Sequence, residues 1–214
     1  HTLPAERQGE LPHRYMLGVY ALLERFIATY PHILFEGCSG GGGRFDAGML
    51  YYHPQIWCSD NTDAIDRLRI QYGTSFFYPL STVGSHVSAV PNHQTGRTAP
   101  MHTRGVVAMA GCLGYELDIT QLDEADRESV KSQIALYKQH RGLIMNGKYF
   151  RLKSPYAEDG ASAWLVVSQS RNAFLLSVVA PNVHANPQPL RLRLKGLLPS
   201  IRYQIGDAVF TGDV

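Results

Sequence analysis

The sequence predicts an α/β region followed by an all-β region, and three observations carry that division. Up to about residue 146, short apolar runs of strand length recur ahead of stretches with helical spacing. From about residue 147 the apolar period falls to two, most cleanly in Leu190-Arg191-Leu192-Arg193-Leu194-Lys195. Turn-forming clusters, Glu158-Asp159-Gly160 and Pro187-Gln188-Pro189, punctuate this second part. The expected division is 1–146 for the α/β part and 147–214 for a small antiparallel β-sandwich. Four strand-then-helix units read as a parallel sheet. A closed (β/α)8 barrel takes about 250 residues, so four units make half of one, with two open sheet edges and an unfilled interior.

Residues 9–30 open the chain with helical spacing: Leu11, Tyr15, Val19, Leu22, Leu23, Phe26, Ile27 and Tyr30, stopped by Pro31. Ile33-Leu34-Phe35 has strand length and runs into Glu36-Gly37-Cys38-Ser39 and four glycines. A second short run, Ile56-Trp57-Cys58, ends in Ser59-Asp60-Asn61, and behind it Ile65, Leu68 and Tyr72 keep helical spacing up to Gly73. Further strands are expected near Val87 to Val90 and Leu113 to Ile119, ahead of helices over about 98–110 and 122–141. The last helix carries Asp123, Glu124 and Asp126 early and Lys138, His140 and Arg141 late, matching the helix dipole, with Gly142 as the expected cap. In the second part, Ala163 to Val167 and Phe174 to Val179 are β-rich.

Composition narrows the function classes. Hydrophobic residues make up 44% and charged ones 18% of the 214 residues, ordinary for a soluble globular protein. The formal charge of +2, with no basic run, argues against nucleic acid or an acidic membrane surface as partner, and no apolar run approaches a membrane span. Three widely spaced cysteines, Cys38, Cys58 and Cys112, make neither a disulfide framework nor a zinc ribbon, and they fit a reducing, cytoplasmic compartment. The start, His1-Thr2-Leu3-Pro4, carries no initiator Met and no leader pattern, so targeting is not legible from this end.

Two segments carry candidate chemistry. The loop Gly37-Cys38-Ser39-Gly40-Gly41-Gly42-Gly43-Arg44 would let backbone approach a ligand closely. It lacks the Lys-Ser/Thr of a phosphate loop, and a flexible turn remains the competing reading. Ser59-Asp60-Asn61-Thr62-Asp63 lies at a strand end, where barrel enzymes place catalysis. A carboxylic acid there can protonate a leaving oxygen and later activate water. The local alternative is a helix cap at Asp60 or Thr62, with Asp63 and Asp66 serving the helix end. For Asp60 both readings stay open on spacing alone. His86, His93 and His102 show no ligand spacing and read as solvated loop residues. Cys58 reads as a small buried hydrophobe. Tyr51, Tyr52 and Trp57 read either as core or as a platform for a sugar ring.

Several motifs together resemble the family 36 α-galactosidases. They are Glu36-Gly37-Cys38-Ser39-Gly40-Gly41-Gly42-Gly43-Arg44-Phe45-Asp46, Gly48-Met49-Leu50-Tyr51-Tyr52, and Trp57-Cys58-Ser59-Asp60-Asn61-Thr62-Asp63-Ala64-Ile65-Asp66-Arg67. Ile70 to Ser75, Gly84 to Ser88, Pro91 to Gln94, Gly114 to Asp118, Tyr149 to Leu152 and Gly196-Leu197 continue the resemblance over essentially the whole chain. It implies retaining hydrolysis of terminal α-1,6-linked galactose from melibiose and raffinose by two carboxylates. Asp60 corresponds to the acid/base, while Cys38, Ser39, Gly40, Gly41 and Trp57 correspond to the sugar-binding residues. No metal or organic cofactor is implied, and a homotetramer or dimer is.

The departures from the family pattern shape the expectation as much as the matches. The family's nucleophile sits in a Lys-Trp-Asp motif, and neither Trp57 nor Trp164 is flanked that way. Leu3 to Leu11 resembles the stretch shortly after that motif, so the chain is expected to start just downstream of it and to be inactive alone. The family's N-terminal β-domain and first half-barrel would then precede His1. Asp63 and Asp66 are expected to point away from the substrate face and not to replace the nucleophile. A galactosyl-transferring relative, an N-acetylgalactosamine enzyme and a non-catalytic carbohydrate-binding fragment are the alternatives.

Overall fold

The computed structural model describes residues 3–183, 185–186 and 189–213. Pro187 and Gln188, two of the three residues of one expected turn, lie outside the described residues, as do His1, Thr2, His184 and Val214. After a 3-10 turn at Ala5–Glu10, helix α1 spans Leu11–Thr29, with Pro12 in its first turn, where a missing N–H costs nothing. None of its residues is buried, and Leu11, Tyr15, Leu17 and Leu22 are all more than half exposed. Its inner contacts are aromatic: Tyr20 stacks on Tyr52 at 5.6 Å, and Phe26 meets Phe35 at 6.1 Å.

Four short parallel strands follow: β1 (Glu36–Gly37), β2 (Gln55–Ile56), β3 (Gly84–Ser88) and β4 (Cys112–Glu116). β1 pairs with β2, an Ile56–Val83 bridge joins β2 to the start of β3, and β3 pairs with β4 from Gly84–Cys112 to Ser88–Glu116. The helices between them are α2 (Ala47–Tyr52), α3 (Ala64–Thr74), α4 (Met101–Ala108) and α5 (Glu124–Asn146). The α/β reading holds, with shifted bounds. β1 begins after Phe35, because Ile33 and Leu34 are exposed and pair with nothing in the sheet. α3 continues one residue beyond Gly73.

Two expectations need correction. Gly142 is not the cap of the last helix: α5 runs on to Asn146, and Gly147 stands at its C-cap. A Cβ on Gly147 would fall 2.5 Å from Val166 and 2.6 Å from the Leu143 carbonyl, so close packing sets the stop there. Leu190 to Lys195 forms no strand. Its alternation survives as burial instead: Leu192 and Leu194 are half-buried, Arg191, Arg193 and Lys195 exposed, and Leu194 packs on the core without a ladder.

The second part holds β5 (Lys148–Lys153), β6 (Ser162–Val167) and β7 (Phe174–Val179) in one antiparallel sheet. The hairpin β8 (Arg202–Ile205) and β9 (Ala208–Thr211) packs against it. Every position of β6 is buried because both of its faces are covered. Leu165 and Val167 join Leu197 and Tyr203 on one side; Trp164 joins Ala64, Leu68, Val107 and Ala110 on the other. One strand therefore serves both cores. Trp164→Ala should cost about 3–5 kcal/mol of stability, read from denaturant unfolding, and should loosen both regions together.

Asp63 is the cap of α3, accepting from the amides of Ile65 (2.8 Å) and Asp66 (3.0 Å). Thr95 donates to its other oxygen at 2.7 Å, and Arg97 pairs with it. Burial alone would raise its pKa; the Asp66 amide, the Thr95 hydroxyl, the Arg97 charge and the Ile65 amide outweigh that and hold the carboxyl below its usual range. A folded-state pKa below the unfolded one, which is about 3.9, gives stability that is present above the unfolded value and lost as pH falls through the folded one. Asp63→Asn should therefore lower the Tm at pH 7, with the gap from wild type closing as pH falls from the ordinary carboxylate range through the lowered folded-state pKa. Thermal melts over that range check it, and a gap independent of pH would contradict it.

Candidate functional site

The glycine loop leaves β1 through a run of left-handed backbone: Ser39 (φ 57°), Gly40 (65°), Gly41 (74°) and Gly42 (88°). Side chains other than glycine rarely adopt this conformation. The loop closes on itself through Gly42 N–H to the Cys38 carbonyl (2.6 Å) and Gly43 N–H to the Ser39 carbonyl (3.1 Å). Space demands glycine as well. A Cβ on Gly41 would sit 2.8 Å from the Asp60 nitrogen and 3.2 Å from its Cγ, and one on Gly42 would sit 3.0 Å from the Cys58 carbonyl oxygen. The two segments singled out from sequence thus lie one on top of the other.

Beneath this contact sits Arg67, 2% exposed. Its guanidinium donates to the Ser59 carbonyl (3.2 Å), the Gly84 carbonyl (2.7 Å) and Gln71 Oε1 (3.1 Å), and lies 4.8 Å from the centre of the Trp57 ring. Ser85 also donates to Gln71 Oε1 (2.9 Å), and Gln71 Nε2 donates to the Val107 carbonyl (3.0 Å). Burial pushes the Arg67 pKa down, and the neighbouring Cys58 and Glu116 work against that shift. On the far side of Asp60, Thr62 is held by Asn92 (2.9 Å to its hydroxyl) and Ser88 (2.9 Å to its carbonyl). Asn61 donates to Asp66 at 2.8 Å. Asp60 itself is exposed between these two anchored stretches.

A cleft of about 370 Å³ opens beside the loop, lined by Glu36, Cys38, Trp57, His86, Tyr115 and Glu116. Trp57 stacks on His86 (4.5 Å between ring centres), and His86 Nδ1 lies 3.6 Å from Glu116 Oε2. Gly84 and Gly114 leave the room this needs. A Cβ on Gly84 would lie 3.2 Å from both Glu36 and Trp57, and one on Gly114 only 2.5 Å from the His86 ring.

The structure thus brings Cys38, Ser39, Gly40, Gly41, Trp57 and Asp60 to one edge of the parallel strands. The helix-cap alternative falls to Asp63, not to Asp60 or Thr62. Three local expectations change. His86 lies on β3 and is half-buried, because Gly114 opens a slot for it on the paired strand. Cys58 is half-buried beside the Arg67 charge rather than sealed among apolar groups. Tyr51 is 70% exposed, while Tyr52 packs under Tyr20. Among the described residues no group of three His, Cys, Asp or Glu side chains is placed to hold a metal ion. Sequence reasoning passed over Arg67, Glu36 and Glu116. Strand parity was the available signal, since Gly84 and His86 share one face of β3, and Gly114 and Glu116 one face of β4.

Comparison with known proteins agrees along the whole chain. The family model described as Melibiase matches residues 1–147, and that of the glycosyl hydrolase family 36 C-terminal domain matches residues 161–214. Alpha-galactosidase 1 of Pediococcus pentosaceus is 55% identical over 99% of this chain. A crystal structure of a variant of the GH36 alpha-galactosidase AgaA from Geobacillus stearothermophilus, in complex with raffinose, superposes with a TM-score of 0.95. It is 53% identical and covers 99% of this chain but only 30% of its own. Another AgaA variant, in complex with stachyose, gives a TM-score of 0.94 at 53% identity, with 99% of this chain and 30% of the relative covered. The chain spans 29% of the length of the Pediococcus relative. The chain belongs to the melibiase family, within glycosyl hydrolase family 36.

Proposed function

We propose that this chain supplies the acid/base part of a retaining α-galactosidase acting on terminal α-1,6-linked galactose, as in melibiose and raffinose. The observation that carries the reading is the seating of Gly41 on Asp60, which joins the sugar-side loop to an exposed carboxyl at a strand end. Relatives that align with 99% of this chain bind raffinose and stachyose in their crystals. In this reading Asp60 protonates the departing glycosidic oxygen, then removes a proton from the water that releases galactose. Cys38, Ser39, Gly40 and Gly41 pack against the galactose, and Trp57 lines its floor.

The second carboxylate comes from outside these 214 residues, since no Lys-Trp-Asp occurs among them. Asp63 and Asp66 are not substitutes: both are engaged at the start of α3, with Ile65, Thr95, Arg97 and Asn61 as partners. Residues 1–146 form the second half of a (β/α)8 barrel, and 147–214 its C-terminal sandwich. The bare apolar face of α1 suits a helix awaiting further barrel wall.

Two outcomes check the reading. The 214-residue chain alone should not turn over an aryl α-galactoside above background, whereas the same chain replacing the matching stretch of AgaA should hydrolyse raffinose. In that chimaera Asp60→Asn should lower kcat/KM on raffinose by about 10²–10⁴-fold. It should leave the galactosylation step intact with 2,4-dinitrophenyl α-galactoside, whose leaving group needs no proton. Undiminished raffinose hydrolysis by Asp60→Asn would overturn the assignment.

A further inference from the structure

We infer that Arg67 is a positioning residue for Asp60: its buried guanidinium fixes the Ser59–Asp60 peptide and so the direction in which the Asp60 carboxyl leaves the strand end. This rests on the reading of Asp60 as the acid/base. The Ser59 carbonyl and the Asp60 nitrogen belong to one planar peptide group. Arg67 donates to that carbonyl at 3.2 Å, while the Gly41 backbone lies against that nitrogen, so close that a Cβ would come within 2.8 Å. The plane is gripped at both ends. The other arm of the guanidinium reaches the Gly84 carbonyl (2.7 Å), tying the end of β2 to the start of β3. The same group faces the Trp57 ring at 4.8 Å.

Stability alone does not account for this arrangement. Each of the three donor contacts ends on a neutral oxygen, two backbone carbonyls and Gln71 Oε1. Glu116 favours the charge from a distance, but a buried charge hydrogen-bonded only to neutral oxygens is less favourable than the same volume filled with an apolar side chain. What the planar fork does provide is a fixed spacing between the Ser59 carbonyl, in the segment after β2, and the Gly84 carbonyl at the start of β3, which a lysine point charge does not reproduce. A carboxyl displaced by about 1 Å from its proton acceptor can lose roughly 100-fold in rate.

The test uses the chain in its AgaA chimaera, with Arg67→Lys and Arg67→Met compared with Asp60→Asn. If Arg67 positions Asp60, kcat/KM on raffinose should fall by roughly 100-fold while that on 2,4-dinitrophenyl α-galactoside stays within about threefold. A merely structural role lowers both substrates by the same factor. Gln71→Met removes the acceptor of the Arg67 Nε and keeps the guanidinium, so it should show a smaller split in the same direction. It carries the test if the Arg67 variants fail to fold. Equal losses on the two substrates, in every variant that folds, would overturn the proposal. If Asp60→Asn shows the split and the Arg67 and Gln71 variants do not, positioning alone falls. If Asp60→Asn also lacks it, the acid/base reading falls with it.

Discussion

Arg67 lies sealed between the ends of β2 and β3, where a charged group can persist only if each nitrogen finds an oxygen. Gln71 supplies one of those oxygens while also accepting from Ser85 and donating to Val107. A single α3 face is thereby bound to β3 and to α4. A neighbouring polar set does similar work: Arg104 donates to the Ser88 carbonyl (2.8 Å), and Ser88 in turn holds Thr62 (2.9 Å). Removing one member of such a network leaves its partners buried and unpaired, which is costlier than never having built it. The parallel strands are only two to five residues long. Their ends are held by these side chains rather than by long ladders.

The site follows from that rigidity. Asp60 is exposed, yet its neighbours Ser59, Asn61 and Thr62 are each hydrogen-bonded to groups on other elements or on α3. The glycine loop contributes from above, with left-handed backbone that side chains rarely adopt and, at Gly41 and Gly42, approaches too close for a Cβ. An exposed carboxyl on an immobilised peptide suits a residue that must exchange protons with both a leaving oxygen and a water. Farther out, β6 shares its two faces between the strand–helix region and the β8–β9 hairpin, so the antiparallel strands buttress the parallel ones.

Much of this was legible in the sequence, for identifiable reasons. The pattern of strand-length runs ahead of helical spacing located β2, β3, β4 and the helices behind them, because buried faces repeat with those periods. The change of apolar period near residue 147 marked where the antiparallel strands β5, β6 and β7 begin. Less was legible where burial is set by distant chain. α2 escaped notice because Met49, Leu50, Tyr51 and Tyr52 are contiguous, without helical spacing, and its cap at Asp46 follows an irregular loop. Leu190 to Lys195 had the period of a strand but pairs with no strand among the described residues, and period alone does not supply one. Spacing also left Asp60 undecided between cap and acid. Only the geometry, with Asp63 taking the cap, removes one alternative, and the role itself comes from family motifs. Arg67 reads in sequence as one more helical arginine, and its importance appears only once Ser59 and Gly84 are seen on either side of it.

The acid/base role of Asp60 has a direct chemical test in the AgaA chimaera carrying Asp60→Ala. Azide needs no general base, so it should restore turnover of an aryl α-galactoside by attacking the covalent intermediate from the face Asp60 vacated. The expected product is α-galactosyl azide, identified by NMR, with the rate rising as azide is added. Turnover that azide does not accelerate, yielding galactose alone, would contradict it.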